Sequence, residues 1–166
     1  MFGYNEICDM SLAAIEKLNN AGIKCTVLTK GILPASLAQF SPGNEYGITL
    51  ISISEAYREH AEPGAAPYLD RLCALKYLHE NGCKTWVSIE PYPTPNLIEQ
   101  SLLHILESIK FADKIIFGRT NYSKNISSYK RHRAFYNEQA ALVVSFCEHH
   151  NIQYHIKDGT VTRAGI

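Results

Sequence analysis

Short β-branched, apolar runs alternate along this chain with segments whose apolar positions recur every three to four residues, and that alternation assigns its elements. Residues 9–20 read as a helix, with Asp9 as a candidate N-cap and Leu12, Ile15 and Leu18 at i, i+3 and i+6. Asn19-Asn20-Ala21-Gly22 ends it. Residues 24–29 (KCTVLT) form a strand, and a short helical stretch follows near 34–40. Ser41-Pro42-Gly43-Asn44 is a turn signal. Residues 46–54 (YGITLISIS) are apolar at nearly consecutive positions, as expected of a parallel-sheet strand covered on both faces. Residues 55–65 read as a polar loop. Residues 67–81 read as a helix with Leu69, Leu72, Leu75 and Leu78 on one stripe and Gly82 as its stop. A strand over 84–90 is halted by Pro91 and Pro93, and a helix opens at Pro95 or Asn96 and runs to Lys110. A strand at 113–118, a long loop at 119–130, a helix at 131–149 with Leu142 and Phe146 inward, and a strand at 151–157 complete the pattern. Residues 1–158 then form one domain and 159–166 a tail expected to fray.

Strand and helix alternating through five strands imply right-handed βαβ units and a parallel sheet. Five strands do not close a barrel of eight. The expected class is therefore α/β, a five-stranded parallel βα-repeat sheet forming a partial, TIM-barrel-like (β/α) barrel. An open flavodoxin-like sheet is the structural alternative. A partial barrel leaves a strand edge open, at 24–29 or 46–54, whichever is outermost, and an open edge is a template for pairing. Dimerisation or association with another chain is the expectation.

Composition narrows the partners. The 166 residues are 46% hydrophobic and 19% charged, with net charge zero and a pI near 7.0. That gives no overall electrostatic case for nucleic acid or an anionic membrane. No apolar run reaches the length of a bilayer span, and the N-terminus lacks a signal core, so the cytoplasm is the default location. The cysteines, Cys8, Cys25, Cys73, Cys83 and Cys147, are widely spaced and form no C-x-x-C. Cys25 and Cys73 lie inside apolar patterns and read as small buried side chains. No P-loop and no G-x-G-x-x-G is present. His149-His150 are adjacent on a helix and so do not share a face. The basic run at 124–133, with Tyr122 and Tyr129 nearby, reads as a solvated loop or as a phosphate contact.

Ligands of parallel α/β sheets gather at the carboxyl ends of the strands. Here those ends are Thr29-Lys30-Gly31, Ser52-Ile53-Ser54-Glu55, Ser88-Ile89-Glu90-Pro91, Gly118-Arg119-Thr120-Asn121 and His155-Ile156-Lys157-Asp158. Hydroxyls, a lysine and carboxylates on one rim suit a small ligand carrying both amine and carboxylate. Lys30 is placed to hold a carboxylate, and Glu90 or Glu62 an ammonium or a ribose. The plain alternative is that strand ends are polar because they meet water.

Taken in order, Thr29-Lys30, Ser52-Ile53-Ser54, Glu62-Pro63-Gly64, Arg71 and Ser88-Ile89-Glu90-Pro91 resemble radical S-adenosylmethionine (SAM) proteins of the spore photoproduct lyase-like, "DNA repair photolyase"-related group. Phe117-Gly118-Arg119 with Asn121-Tyr122 resembles the loop after the sixth barrel strand in some of them. The resemblance spans roughly residues 10–158. It implies SAM as cofactor. Lys30 and Ser52 would then lie near the SAM carboxylate, Ser54 and Glu62 on the same face, and Ser88, Glu90 and Asn121 toward cofactor or substrate. Arg71 would brace the Glu62 loop. The resemblance also implies a [4Fe–4S] cluster, held in the family by an early C-x-x-x-C-x-x-C loop that this sequence lacks. It therefore points to a C-terminal part of such a barrel, inactive alone, awaiting a cluster-bearing N-terminal half in cis or in trans. A non-catalytic small-molecule or nucleotide-binding module is the second reading. A Schiff-base lyase or aldolase using Lys30 is the third.

Overall fold

The computed structural model describes residues 5–120 and 129–162. Helix α1 (Asn5–Asn20) leads into β1 (Thr26–Thr29), a 3-10 turn (Ala35–Gln39) and β2 (Glu45–Thr49). Helices α2 (Glu55–Ala61) and α3 (Tyr68–Glu80) precede β3 (Lys84–Tyr92). Helix α4 (Leu102–Ser108), β4 (Lys114–Arg119), α5 (His132–His150) and β5 (Gln153–Ile156) follow. The five strands lie in the order β1-β2-β3-β4-β5, every neighbouring pair parallel. This is the α/β partial barrel expected of the sequence. Strands β1 and β5 are the two edges and β2 is interior.

One parity of each strand builds the core. Val27, Tyr46, Ile48, Val87, Ile89, Ile115 and Phe117 are buried and pack with Ile15, Leu37, Leu75, Leu78, Ile105, Leu106 and Val143. Right-handed crossovers in a strictly sequential sheet place every connecting helix on one face. The other parity, Gly47, Thr49, Trp86, Ser88, Lys114 and Gly118 among them, therefore occupies a helix-free face. Strand β2 is nonetheless buried on both sides, because the Trp86 indole lies across Gly47 so closely that a Cβ there would run into the ring.

Several expectations change, each for a local reason. Residues 55–61 are helix α2, not loop: the Ser54 hydroxyl accepts the Tyr57 N–H at 3.3 Å, and Glu55 pairs with Arg58 one turn on. Helix α4 starts at Leu102, not at 95 or 96. Thr94 donates to Asn96 at 2.7 Å and the Gln100 amide donates to the Ile51 carbonyl at 2.8 Å, which holds the preceding segment as a turn. Strand β3 runs through Pro91 to Tyr92, with Pro91 inside a register shift where no ladder N–H is required. In α1 the inward face is Cys8, Ser11, Leu12 and Ile15, and Leu18 is exposed, because an i, i+3, i+6 series drifts off a 3.6-residue period. In α3 Leu69 is exposed and Arg71 takes its place beside Leu72, Leu75 and Leu78. Cys73 is exposed, Cys25 half-buried and Cys147 buried. Gly82 ends α3 with φ at 80°, a left-handed position that favours glycine. Past β5, Thr160 is buried and accepts the Arg119 N–H, while Thr162 and Asn137 exchange two hydrogen bonds.

Candidate functional site

The registers align the helix-free face in rows. The lowest complete row is Leu28, Gly47, Trp86, Lys114 and Gln153. Above it stand Thr49, Ser88, Ile116 and His155, and at the carboxyl rim Glu90, Gly118 and Lys157. Hydroxyls and charged groups thus rise toward the strand ends, above a floor formed by the indole.

At the β1 end, Lys30 lies 48% exposed with its Nζ 3.0 Å from Glu62 Oε1. Glu62 caps the C-terminus of α2 and is buried to 3% of its side chain. Its other oxygen faces Arg71 Nη1 at 3.6 Å, and Arg71, wholly buried, donates from the same nitrogen to the Thr49 carbonyl. Burial pulls the Arg71 pKa down, against the pull of the neighbouring Glu62 and Glu55 carboxylates. Lys30 sits off the line needed for a hydrogen bond, so Glu62 Oε1 has a charged neighbour but no hydrogen-bond donor, and Arg71 Nε and Nη2 are buried without an acceptor. Such orphaned groups are costly unless something satisfies them. A half-exposed ammonium beside a carboxylate oxygen is the donor and acceptor that an aminocarboxylate group requires, and in that respect the rim fits the amino-acid end of SAM.

Ser52 is buried and its hydroxyl accepts the Ser54 N–H at 3.1 Å; Ser54 is the α2 cap. Both hydroxyls shape the loop leading to Glu62. Glu55 ties the same loop down: its carboxylate accepts the Tyr68 N–H at 2.8 Å and pairs with Arg58, and together they hold its pKa below the usual carboxylate range. Ser88 lies buried on the helix-free face, and Glu90 stands above it with Lys157 Nζ 3.0 Å from its Oε2. Asn121 falls outside the described residues. The fold thus gathers Lys30, Glu62 and Arg71 into one cluster and Glu90 and Lys157 into another, with Ser88 between.

Sequence reasoning named Lys157 and Gly118 only as parts of strand ends and passed over Trp86, because each matters through its neighbour across the sheet. At the opposite strand ends, Lys114 reaches Glu45 at 2.8 Å across β3 and lies 5.8 Å from the Trp86 ring centroid. A cleft of about 360 Å³ opens there between Glu45, Lys84, Thr85, Asp113, Lys114 and Gln153. Asp113 closes it by accepting the Thr85 N–H at 2.7 Å and the Thr85 hydroxyl at 3.0 Å. The five cysteines lie on separate elements, and among the described residues no three His, Cys, Asp or Glu side chains are placed to hold a metal. The described residues therefore do not fit a [4Fe–4S] cluster. No helix among them is long and apolar enough to cross a membrane.

No protein-family model and no curated protein matches the chain. Solved structures do. SuiB of Streptococcus suis bound to S-adenosylmethionine superposes with a TM-score of 0.63 at 16% identity, over 93% of this chain and 35% of that one. A second SuiB structure gives 0.59 at 16% identity, over 93% and 36%. The chain spans about a third of the length of these neighbours. At this identity the likeness is one of fold, and it agrees with the partial, TIM-barrel-like α/β barrel expected from the sequence.

Proposed function

We propose that this chain is the SAM-binding C-terminal part of a radical SAM barrel, with the amino-acid end of SAM seated between Lys30 and Glu62. The observation that carries this reading is the Lys30–Glu62 pair, a half-exposed cation 3.0 Å from a buried carboxylate, at the strand-end rim of a fold shared with a SAM-bound protein. In the proposed complex Lys30 holds the carboxylate and Glu62 accepts the ammonium on Oε1, the oxygen that faces Lys30 in the free chain. Arg71, 3.6 Å from its other oxygen, holds Glu62 in place, and Ser88 lines the helix-free face. Reduced by one electron from an iron–sulfur cluster, SAM supplies radical chemistry in such enzymes. A C-x-x-x-C-x-x-C segment, in cis or in trans beside the open β1 edge, is the proposed source of the cluster, and without it the chain is inactive. The order of short motifs from Thr29-Lys30 to Glu90-Pro91 favours the spore photoproduct lyase-related group within that class.

The rim without a cluster also supports the second reading, a binding module with no radical step. The Schiff-base reading is disfavoured by the geometry, since Lys30 is half-exposed and salt-bridged. Calorimetry with SAM on the purified chain, and then on Lys30→Ala, tests the proposal. Binding weakened about tenfold or more by the substitution, the scale of one charge-assisted contact, supports it. Equal binding by both proteins, or none by the parent chain, removes it.

A further inference from the structure

The rim carries the same device twice. Lys157, like Lys30, is 48% exposed and has its Nζ 3.0 Å from the oxygen of a more buried glutamate, here Glu90 with 23% of its side chain accessible. Glu90 belongs to β3 and Lys157 follows β5, so the pair spans β4 without touching a β4 side chain. Gly118 makes this feasible: a Cβ at that position would stand 2.8 Å from Glu90 Cγ and Cδ. The pair adds little to a sheet whose ladder already joins β3, β4 and β5. Exposed ion pairs contribute weakly to stability. His155 lies exposed one row below on the same face. Along the sheet, Lys30 and Lys157 are four strand spacings apart, about 19 Å, so the two pairs are separate.

We propose that Lys157 and Glu90, seated over Gly118, form a second aminocarboxylate subsite that takes the zwitterionic end of an α-amino acid as the substrate of this rim. Charge matching selects the ligand. A simple anion at Lys157 meets the Glu90 carboxylate, and a simple amine at Glu90 meets the Lys157 ammonium. A zwitterion offers its carboxylate to the lysine and its ammonium to the glutamate, replacing one neutral pair with two. The assignment of substrate rests on the reading of the first subsite as the SAM end, but the subsite itself does not depend on Lys30.

The test is a titration of the isotope-labelled full chain with L-alanine, followed by backbone amide shifts at Gly118 and Lys157. Acetate and ethylamine serve as half-ligand controls. L-alanine should shift both amides saturably and bind about tenfold more tightly than either control. Lys157→Met and Glu90→Gln should each abolish the saturable shift, and Gly118→Ala should weaken it by displacing a flexible glutamate stem while the fold persists. Lys30→Met should leave it intact while losing SAM binding. Loss of SAM binding to the parent chain with L-alanine still held at Lys157 would defeat the SAM reading and spare the subsite. No saturable shift, an undiminished one in Lys157→Met, or acetate binding as well as L-alanine would overturn the proposal.

Discussion

Glu62→Gln separates what the first cluster does for stability from what it does for a ligand. Arg71 has no solvent-accessible side-chain surface, and Glu62 is the carboxylate beside it. Removing that charge leaves a buried guanidinium with the Thr49 carbonyl as its remaining hydrogen-bond acceptor and two nitrogens still unpartnered. Breaking one side of a buried ion pair costs about 3–5 kcal/mol. For a chain of this size that lowers the melting temperature by about 6–20 °C. Lys30→Met removes the half-exposed member instead, leaves the Arg71–Glu62 pair in place, and should cost no more than about 1 kcal/mol. Urea unfolding, followed by far-ultraviolet circular dichroism and by the emission of the single tryptophan, measures both. The double variant Glu62→Leu/Arg71→Met should recover much of the loss, since apolar replacement of a whole buried pair is near neutral. A Glu62→Gln protein within about 1 kcal/mol of the parent would refute the reasoning.

Gly47→Ala should destabilise by about 1–3 kcal/mol and shift Trp86 emission to the red, because the new Cβ displaces the indole that covers β2. Unchanged emission and stability would show that the ring is not seated there. Burial pushes the Tyr92 hydroxyl up to about 12 from 10.0, and those of Tyr46 and Tyr136 rise in the same direction. The unfolded chain therefore releases these protons first. Stability should be full below pH 10 and, for Tyr92 alone, fall by about 3 kcal/mol as pH rises through 10 to 12. Tyrosinate absorbance reaching that of all ten tyrosines before unfolding would contradict this. Burial also pushes the Cys147 thiol up to about 11, so a thiol reagent at neutral pH should label exposed Cys73 quickly and Cys147 only on unfolding.

The fold was legible because its signals are local and repeated. The runs TVLT and KTWVSIE, each followed by helical periodicity, specify βαβ units with little tertiary help. Helix α2 was hidden because its stability comes from the Ser54 cap and from Glu55, which clamps both Arg58 and Tyr68, and a short polar helix has no apolar period to read. Leu69 and Leu18 were misplaced by a three-residue count that the true helical period outruns over two turns. On the rim, Lys30, Ser88 and Glu90 were readable as strand-end polar residues. Lys157 stood in the last strand end but gained meaning only through Glu90, two strands away. The contacts of Trp86 with Gly47 and of Glu90 with Gly118 depend on register, which one sequence does not encode as a motif.

A crystal structure of the chain grown with SAM tests the central claim most directly. The account predicts the SAM carboxylate within hydrogen-bond distance of Lys30 Nζ, its ammonium on Glu62 Oε1, and the rest of the molecule over Ser88 on the helix-free face. SAM in the cleft between Glu45, Lys84 and Lys114 at the opposite strand ends, or no bound SAM at saturating concentration, would contradict it.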